Sequence, residues 1–340
     1  MAPRLLGLLV ALALRCAGVA AFHAPPLTRR APRHHTRLLA AGSPDDDAEA
    51  LVLGEADAVA TLGLVTALWG SQHAVAKWAL GFDGGGAPAL TALRFAVAAA
   101  ALSPFLPRDA ATWRDGLELG AWGFLGFACQ TVGLETTTAC RSAFLLYLNV
   151  KLVPVFELAR GRTLPEGTWA SAALAVAGTA LLAADADGLE SAWVVGDTWS
   201  VAAAAASAGF IVRLDACARR APSAAALSAA SAASTCALAG AWFLRGFDGG
   251  DVAVSGEFVA AAVYLGLVPS ALCGVLQALA QRTVAPSRAA LIYATDPLWA
   301  AGFAFAGLGE TLGPRGAAGA ALIAAAAFGQ RLAPPKGGAS

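Results

Sequence analysis

Few side chains here have the type and setting to do chemistry, and almost all of those lie within apolar stretches. Eight stand out: His73, Lys77, Arg94, Gln130, Tyr147, Lys151, Tyr293 and Asp296. His73 and Lys77 are four residues apart, so a helix would put them on one face. Ser71 and Gln72 lie beside them and Trp69 a turn earlier. Tyr147 and Lys151 share a face in the same way, with Lys151 three residues before Pro154. Asp296 directly precedes Pro297, and Tyr293 comes one turn earlier. An ionised group at the centre of a bilayer costs at least ~2.5 kcal/mol, so each needs a partner or water. Proline removes a backbone donor and pushes the residue before it out of helical geometry, which exposes carbonyls at mid-span. Such a set suits the binding of a small polar solute in a water-filled cavity.

It does not suit catalysis. The chain has no HExxH, GxSxG or Walker-type loop, and His73 is the only histidine beyond residue 35. No catalytic residue, metal ligand or cofactor is expected. The six cysteines form no CxxC pair and read as small packing residues.

The elements that position these residues follow from composition. Of 340 residues, 58% are hydrophobic and only 14% charged, and the mean hydropathy is +0.63. Soluble domains carry roughly a quarter charged residues. The bilayer is the solvent that such a core fits, and formal neutrality excludes nucleic acid as a partner.

Residues 1–44 contain six arginines and no acid. Arg4 precedes the apolar run Leu5–Leu14, and Val19-Ala20-Ala21 supplies small residues at a cleavage position. Residues 1–21 therefore read as a signal peptide, too short to be a span. Residues 22–56, basic and at first free of acid, read as a transit peptide and linker. The junction Ala21-Phe22-His23-Ala24-Pro25 resembles the Phe-centred cleavage site of the bipartite leaders of algae with complex plastids. The alternative is an ordinary secretory signal followed by a basic tail.

From Ala58 onward, apolar runs recur near 58–80, 88–106, 116–134, 139–158, 169–183, 198–214, 224–244, 257–280, 286–307 and 314–330. Most approach the ~20 residues that cross ~30 Å of hydrocarbon. With ten spans, the loops on the side of the N-terminus hold eleven Lys and Arg, and the opposite loops hold only Arg141, Arg245 and Arg315. That alternation is expected of a correct count. Arg141, Arg213, Arg282 and Arg288 fall at span ends, where they can reach the headgroups. The Ala- and Ser-rich run Ser223–Gly240 offers little to lipid and is expected to pack closely through its small residues.

The chain also resembles itself. Gly161-Arg162-Thr163-Leu164 aligns with Gly309-Glu310-Thr311-Leu312, Tyr147 and Pro154 with Tyr293 and Pro297, and Ser71…Lys77 with Ser207…Arg213. The expected fold is an all-α polytopic membrane protein of ten transmembrane helices, built as two inverted five-helix repeats, 57–184 and 195–331, with a tail at 332–340.

Ala67-Leu68-Trp69-Gly70-Ser71, Leu90…Leu93-Arg94-Phe95, Thr138-Ala139…Ala143-Phe144-Leu145 leading to Val153-Pro154-Val155, and Gly309-Glu310-Thr311-Leu312 resemble the EamA-type drug/metabolite transporter superfamily over about 57–331. The resemblance implies a ten-span carrier of small metabolites. Arg162 departs from it, standing where the second half has Glu310.

The expectation is a secondary transporter in a plastid membrane that works by alternating access. His73, Lys77, Arg94 and Lys151 outnumber Asp296, which points to an anionic or zwitterionic metabolite. Lys151 and Asp296, on equivalent spans, are expected to form an ion pair. The expected partners are that metabolite, the lipid bilayer and, as an option, a second copy in a homodimer. A non-transporting scaffold or assembly factor is the alternative. A fluorescent protein carrying residues 1–55 should enter plastids, and Phe22→Ala should hold it in the outer compartments. Undiminished plastid entry by the Phe22→Ala fusion would rule out the Phe-centred motif as the address.

Overall fold

The computed structural model describes residues 52–82, 86–137, 139–162, 164, 167–187, 194–246, 254–296, 298–299, 302 and 313–329. The leader up to residue 51, Thr163, Pro297, the 309–312 motif and the tail lie outside the described residues.

Among the described residues all regular structure is helical. The helices are α1 (Glu55–Ala79), α2 (Gly86–Leu102, extended by a 3-10 turn, Ser103–Phe105), α3 (Ala110–Thr136), α4 (Ala139–Leu146), α5 (Asn149–Ala159) and α6 (Thr168–Asp187). Then come α7 (Val195–Arg220), α8 (Ala224–Gly246), α9 (Gly256–Leu265), a π-helical segment (Gly266–Leu272), α10 (Cys273–Ala280), α11 (Pro286–Tyr293) and α12 (Pro314–Gly329). Local chemistry sets several ends. Asp109 accepts from the Thr112 amide at 2.7 Å and Ser255 from the Phe258 amide at 3.1 Å, capping α3 and α9. Past α5, Gly161 takes φ +75°, a conformation that closes helix C-termini and that glycine adopts without strain.

Among the described residues four stretches are long and apolar enough to cross a membrane: Gly86–Phe105, Val195–Arg220, Ala224–Gly246 and Gly256–Ala280. Leu117, Leu125, Val155, Leu244, Val263 and Leu267 are exposed, as lipid contact allows and water does not favour. Trp169 and Trp199 are exposed near the first turns of α6 and α7, where interfacial tryptophans belong. The protein is an integral membrane protein. Helices α1 and α3 fall short on apolarity for a physical reason. They carry Ser71, Gln72, His73 and Lys77, and Asp115, Glu118 and Gln130, turned toward other helices rather than lipid.

Three runs expected as continuous helices are interrupted. The run 139–158 breaks at Tyr147-Leu148, where amides bond three residues back: Leu148 to Leu145, Val150 to Tyr147 and Lys151 to Leu148. The break lies one to two turns before Pro154, which sits inside α5. Helix α11 stops at Tyr293, and Thr295 bonds back to Ile292 through both its amide and its hydroxyl. The run 257–280 passes through the π-helical segment that contains Pro269.

The closest packing is α6 on α12, α3 on α7 and α8, and α2 on α8. Small residues allow it. A Cβ at Gly116 or Gly120 would collide with Ala230 or Ser234 of α8, which is the close approach expected of the Ala- and Ser-rich run. A Cβ at Gly266 would meet the Arg94 carbonyl at 2.6 Å. Overpacking costs ~1–3 kcal/mol, so Gly120→Val should sharply lower the yield and melting temperature of detergent-solubilised protein. Gly240→Ala, with open space around it, should leave both unchanged. Equal yields for the two variants would dismiss the α3–α8 contact.

Candidate functional site

A polar seam runs through the interior. His73 of α1, 2% exposed, meets the Gln130 amide of α3 at Nδ1, 3.2 Å away, and turns Nε2 toward Asp296, 3.4 Å from Oδ2. Asp296 is fully buried, and the Tyr147 side chain lies against it. Next to this group is Arg94, 4% exposed. Its Nη2 donates to Gln72 Oε1 at 2.9 Å and its Nε to Ser270 Oγ at 2.6 Å. Its guanidinium lies over Phe127, 4.3 Å from the ring centre, and within 5.5 Å of Phe95. Ser270 also donates to the Leu265 carbonyl, so the π-helical segment is tied to α2 through one hydroxyl.

The seam borders a cavity of about 140 Å³. Its walls are mostly aromatic and aliphatic: Trp69, Phe95, Trp122, Phe127, Phe210 and Tyr293 supply the rings. Its polar wall groups are amides and hydroxyls from Gln72, Gln130, Tyr147, Asn149, Ser207, Ser228, Ser231, Thr235, Ser270 and Gln277. Among the described residues that line it there is no Lys, Arg, Asp or Glu. Several wall groups are already fixed. Asn149 donates to Ser207 at 3.1 Å, and the Trp69 indole donates to the Pro269 carbonyl at 3.0 Å. Tyr293 packs on Trp69, ring centres 5.2 Å apart, and donates to Gln281, which also binds Gln277 and the Ile211 carbonyl.

The eight residues that the sequence singles out divide clearly. Gln130, Tyr147 and Tyr293 line the cavity. His73 and Asp296 stand together behind that wall, joined to it through Gln130 and Tyr147. Arg94 is a lock between helices, and its charge is spent on two side chains and two rings. Lys77 is a cap: its ammonium donates to the Leu134 and Thr137 carbonyls at 2.6 and 3.0 Å, at the C-terminal end of α3. Lys151 is exposed. The expected Lys151–Asp296 pair is therefore corrected, because Asp296 faces His73 and Lys151 lies on the outer side of α5. The charge argument for an anionic solute weakens with it, since neither Arg94 nor Lys77 is free. Of the arginines expected at span ends, Arg213 pairs with Glu118, Arg288 with Glu55, and Arg282 donates to the Ala221 carbonyl at 2.8 Å.

Sequence reasoning missed Trp122, Phe127, Phe210, Asn149 and Ser270. A signal for the first two exists. Gly116, Gly120, Gly123 and Gly126 recur at helical spacing on α3, a face that must approach other helices or leave space, and Gly123 and Gly126 line the cavity.

Residues 194–330 match the model of the EamA-like transporter family. An uncharacterized transporter of Archaeoglobus fulgidus is 38% identical over 96 residues, which is 28% of this chain and 30% of the length of that protein. A crystal structure superposes with a TM-score of 0.65, covering 82% of this chain and 98% of its own, at 20% identity. That likeness is one of fold.

A guanidinium that is both forked and stacked does not tolerate exchange for an ammonium. Arg94→Lys should lower the melting temperature of the solubilised protein by several degrees, since a hydrogen bond to a charged group is worth ~1.5–3 kcal/mol. Lys151→Ala, at an exposed position, should change stability by no more than about 0.5 kcal/mol. A larger loss for Lys151→Ala than for Arg94→Lys would reverse these two roles.

Proposed function

We propose that this protein is a secondary transporter that carries a small polar solute by alternating access. Its membrane is proposed to be one of a complex plastid, an assignment that rests on the leader alone. The observation that carries the transport reading is a central cavity bounded by helices of both halves and bridged at one end by charge. At that end Glu118 binds Arg213, Asp115 binds Arg220 at 2.8 Å, Arg162 binds Asp215 at 2.9 Å and Glu55 binds Arg288. The first three pairs join the first half to the second, and the fourth ties the first residue of α1 to the second half. Ser287 donates to Glu157 across the same divide. At the opposite end Thr137 donates to Asp197 at 2.8 Å and Ser200 to Ser142 at 3.0 Å across the same divide. The arrangement fits a carrier closed on the Arg-rich side, with contacts that can be broken and remade.

The helix pairing supports two inverted repeats. Contacts of α3 with α7 recur as α10 with α1, and α3 with α8 as α9 and the π-helical segment with α2. Contacts of α4 and α5 with α7 recur as α11 with α1. Exchanging the halves leaves this pattern unchanged, as a twofold relation requires.

The solute that fits the cavity is uncharged or zwitterionic and has a flat or apolar part. Aromatic walls offer stacking surfaces, and amides and hydroxyls can satisfy both donors and acceptors. A net anion would enter low-dielectric space in which the described residues offer no free cation to meet it. This narrows the expectation from charge counting to its zwitterionic side and widens it to neutral solutes.

Tryptophan fluorescence of the purified protein tests both points. Adenine as a neutral planar probe, or serine as a zwitterion, should quench emission in a saturable way, and Trp122→Phe should reduce the quenching. Malate and putrescine should not quench saturably. A saturable response to malate alone would sink the solute class, and no saturable response to any of the four would favour the scaffold. Reconstituted into liposomes, wild type should take up the responding solute. Arg213→Ala combined with Arg220→Ala, which opens half of the charged bridge, should change the uptake rate severalfold.

A further inference from the structure

We infer that Asp296 and His73 form a single proton-binding site, loaded from the cavity, whose occupancy decides whether the bundle can stay closed around them. The inference rests on the proposed carrier function for what the proton drives, and on the geometry alone for the site itself.

Nε2 of His73 and Oδ2 of Asp296 are buried, face each other at 3.4 Å and form no well-aligned hydrogen bond, and the Tyr147 side chain lies against the same carboxyl group. Elsewhere among the described residues, buried carboxylates are held. Asp215 has Arg162 and Arg219, Asp115 has Arg220, Asp197 has Thr137, and Glu157 has Ser287. Asp296 instead has an imidazole, the one basic side chain that exists in neutral and charged forms near neutral pH. The Gln130 amide nitrogen can only donate, so it holds Nδ1 of His73 as an acceptor and turns Nε2 toward the carboxylate.

The other titratable groups near the pair do not replace it. Tyr147, from the turn after α4, lies against Asp296, and Cys273 of α10 lies near it. Both are neutral at ordinary pH. Tyr293 of α11 is likewise neutral and is bound to Gln281. Arg94 of α2 is a buried cation of this part of the interior, but its donors go to Gln72 and Ser270. Helices α3 and α9 contribute the uncharged Gln130 and Tyr264, the latter bound to Ser71.

The charge states follow. With one proton shared by the two residues, the pair is either carboxylic acid and neutral imidazole or carboxylate and imidazolium, and in both cases it is net neutral. With no proton it is a bare carboxylate beside a neutral ring. A buried, unpaired charge is costly unless water or a counter-ion reaches it. Loss of the proton to cavity water therefore favours a conformation that wets the site, and uptake of a proton from that water favours closure. Tyr147 both lines the cavity and touches Asp296, so its hydroxyl is the contact between that water and the pair. Substrate and proton would then act on the same break between Tyr147 and Asn149.

Infrared difference spectra of the full chain in lipid nanodiscs, taken between acidic and alkaline buffer, read the site directly. Wild type should show a protonated signal that disappears on alkalinisation, either a carboxylic acid C=O band sensitive to D2O or an imidazolium ring band. Asp296→Asn, nearly isosteric, should remove it. His73→Gln takes away the cation that stabilises the carboxylate, so its C=O band should persist to more alkaline pH than any wild-type signal. The pH-driven change in Trp122 emission, measured in the absence of solute, should accompany the wild-type signal and vanish in Asp296→Asn. A wild-type spectrum with no titrating signal that Asp296→Asn removes would overturn the site. The signal without the Trp122 response would overturn its link to conformation. If these hold while no solute binds, the transport reading fails and the proton site stands.

Discussion

The interior must satisfy polar groups in a place where water is scarce, and the burial of Arg94 shows how this is met. One guanidinium bonds Gln72 of α1 and Ser270 of the π-helical segment while lying over Phe127 of α3. Four elements are thereby fixed around a single charge. The extra residue of a π-turn offsets side chains from ordinary helical register, which is how Ser270 comes within 2.6 Å of Nε. Gly266 permits it, because α2 runs so close that no side chain fits there. Remove any one of these and the cation is left buried with part of its hydrogen bonding missing, a loss larger than the bond itself is worth. The cavity beside this lock therefore has one wall that is hard to deform.

The charged bridge at the other extreme is built on different physics. Arg162, Arg219 and Arg220 are close to half exposed, and ion pairs in such surroundings are individually worth little. Several in parallel still hold the ends of α3, α5 and α7 together, and each can exchange its partner for water at small cost. The molecule thus pairs a rigid interior seam with a soft, polar closure. A carrier needs that combination, since rocking two halves must break contacts at one end without disordering the middle.

How much of this could be read from residues alone depended on whether the signal was local. Helix placement followed from apolar runs, because a segment in lipid must satisfy its own backbone. The stretch 224–244 became α8 and packed through small residues as its Ala and Ser content implied. His73 and Lys77 do face one neighbour, α3, as their spacing required. Three-dimensional pairing was another matter. Lys151 and Asp296 have matching positions beside equivalent prolines, yet the turn at Tyr147-Leu148 changes the helical phase between Tyr147 and Lys151. Tyr147 then points inward and Lys151 outward, and the shared face assumed from an unbroken helix disappears. Arg94 was legible as a residue in need of a partner, but Ser270 as that partner depends on a π-turn that no spacing rule announces.

The difference between a lined cavity without charge and a charged pair just behind its wall has a consequence for coupling. A carboxylate placed in the wall itself would bind cations, or repel anions, at every stage of the cycle, and so would commit the solute to one charge class. Set behind Gln130 and Tyr147, Asp296 would act on a bound solute only through the position of those two side chains. In the proposed carrier the solute would then be chosen by shape and hydrogen bonding, while the buried charge would sense whether water has entered. Separating the two would leave the proposed carrier free to change its cargo by substitution at Trp122, Phe210 or Ser231, with the pair around His73 untouched.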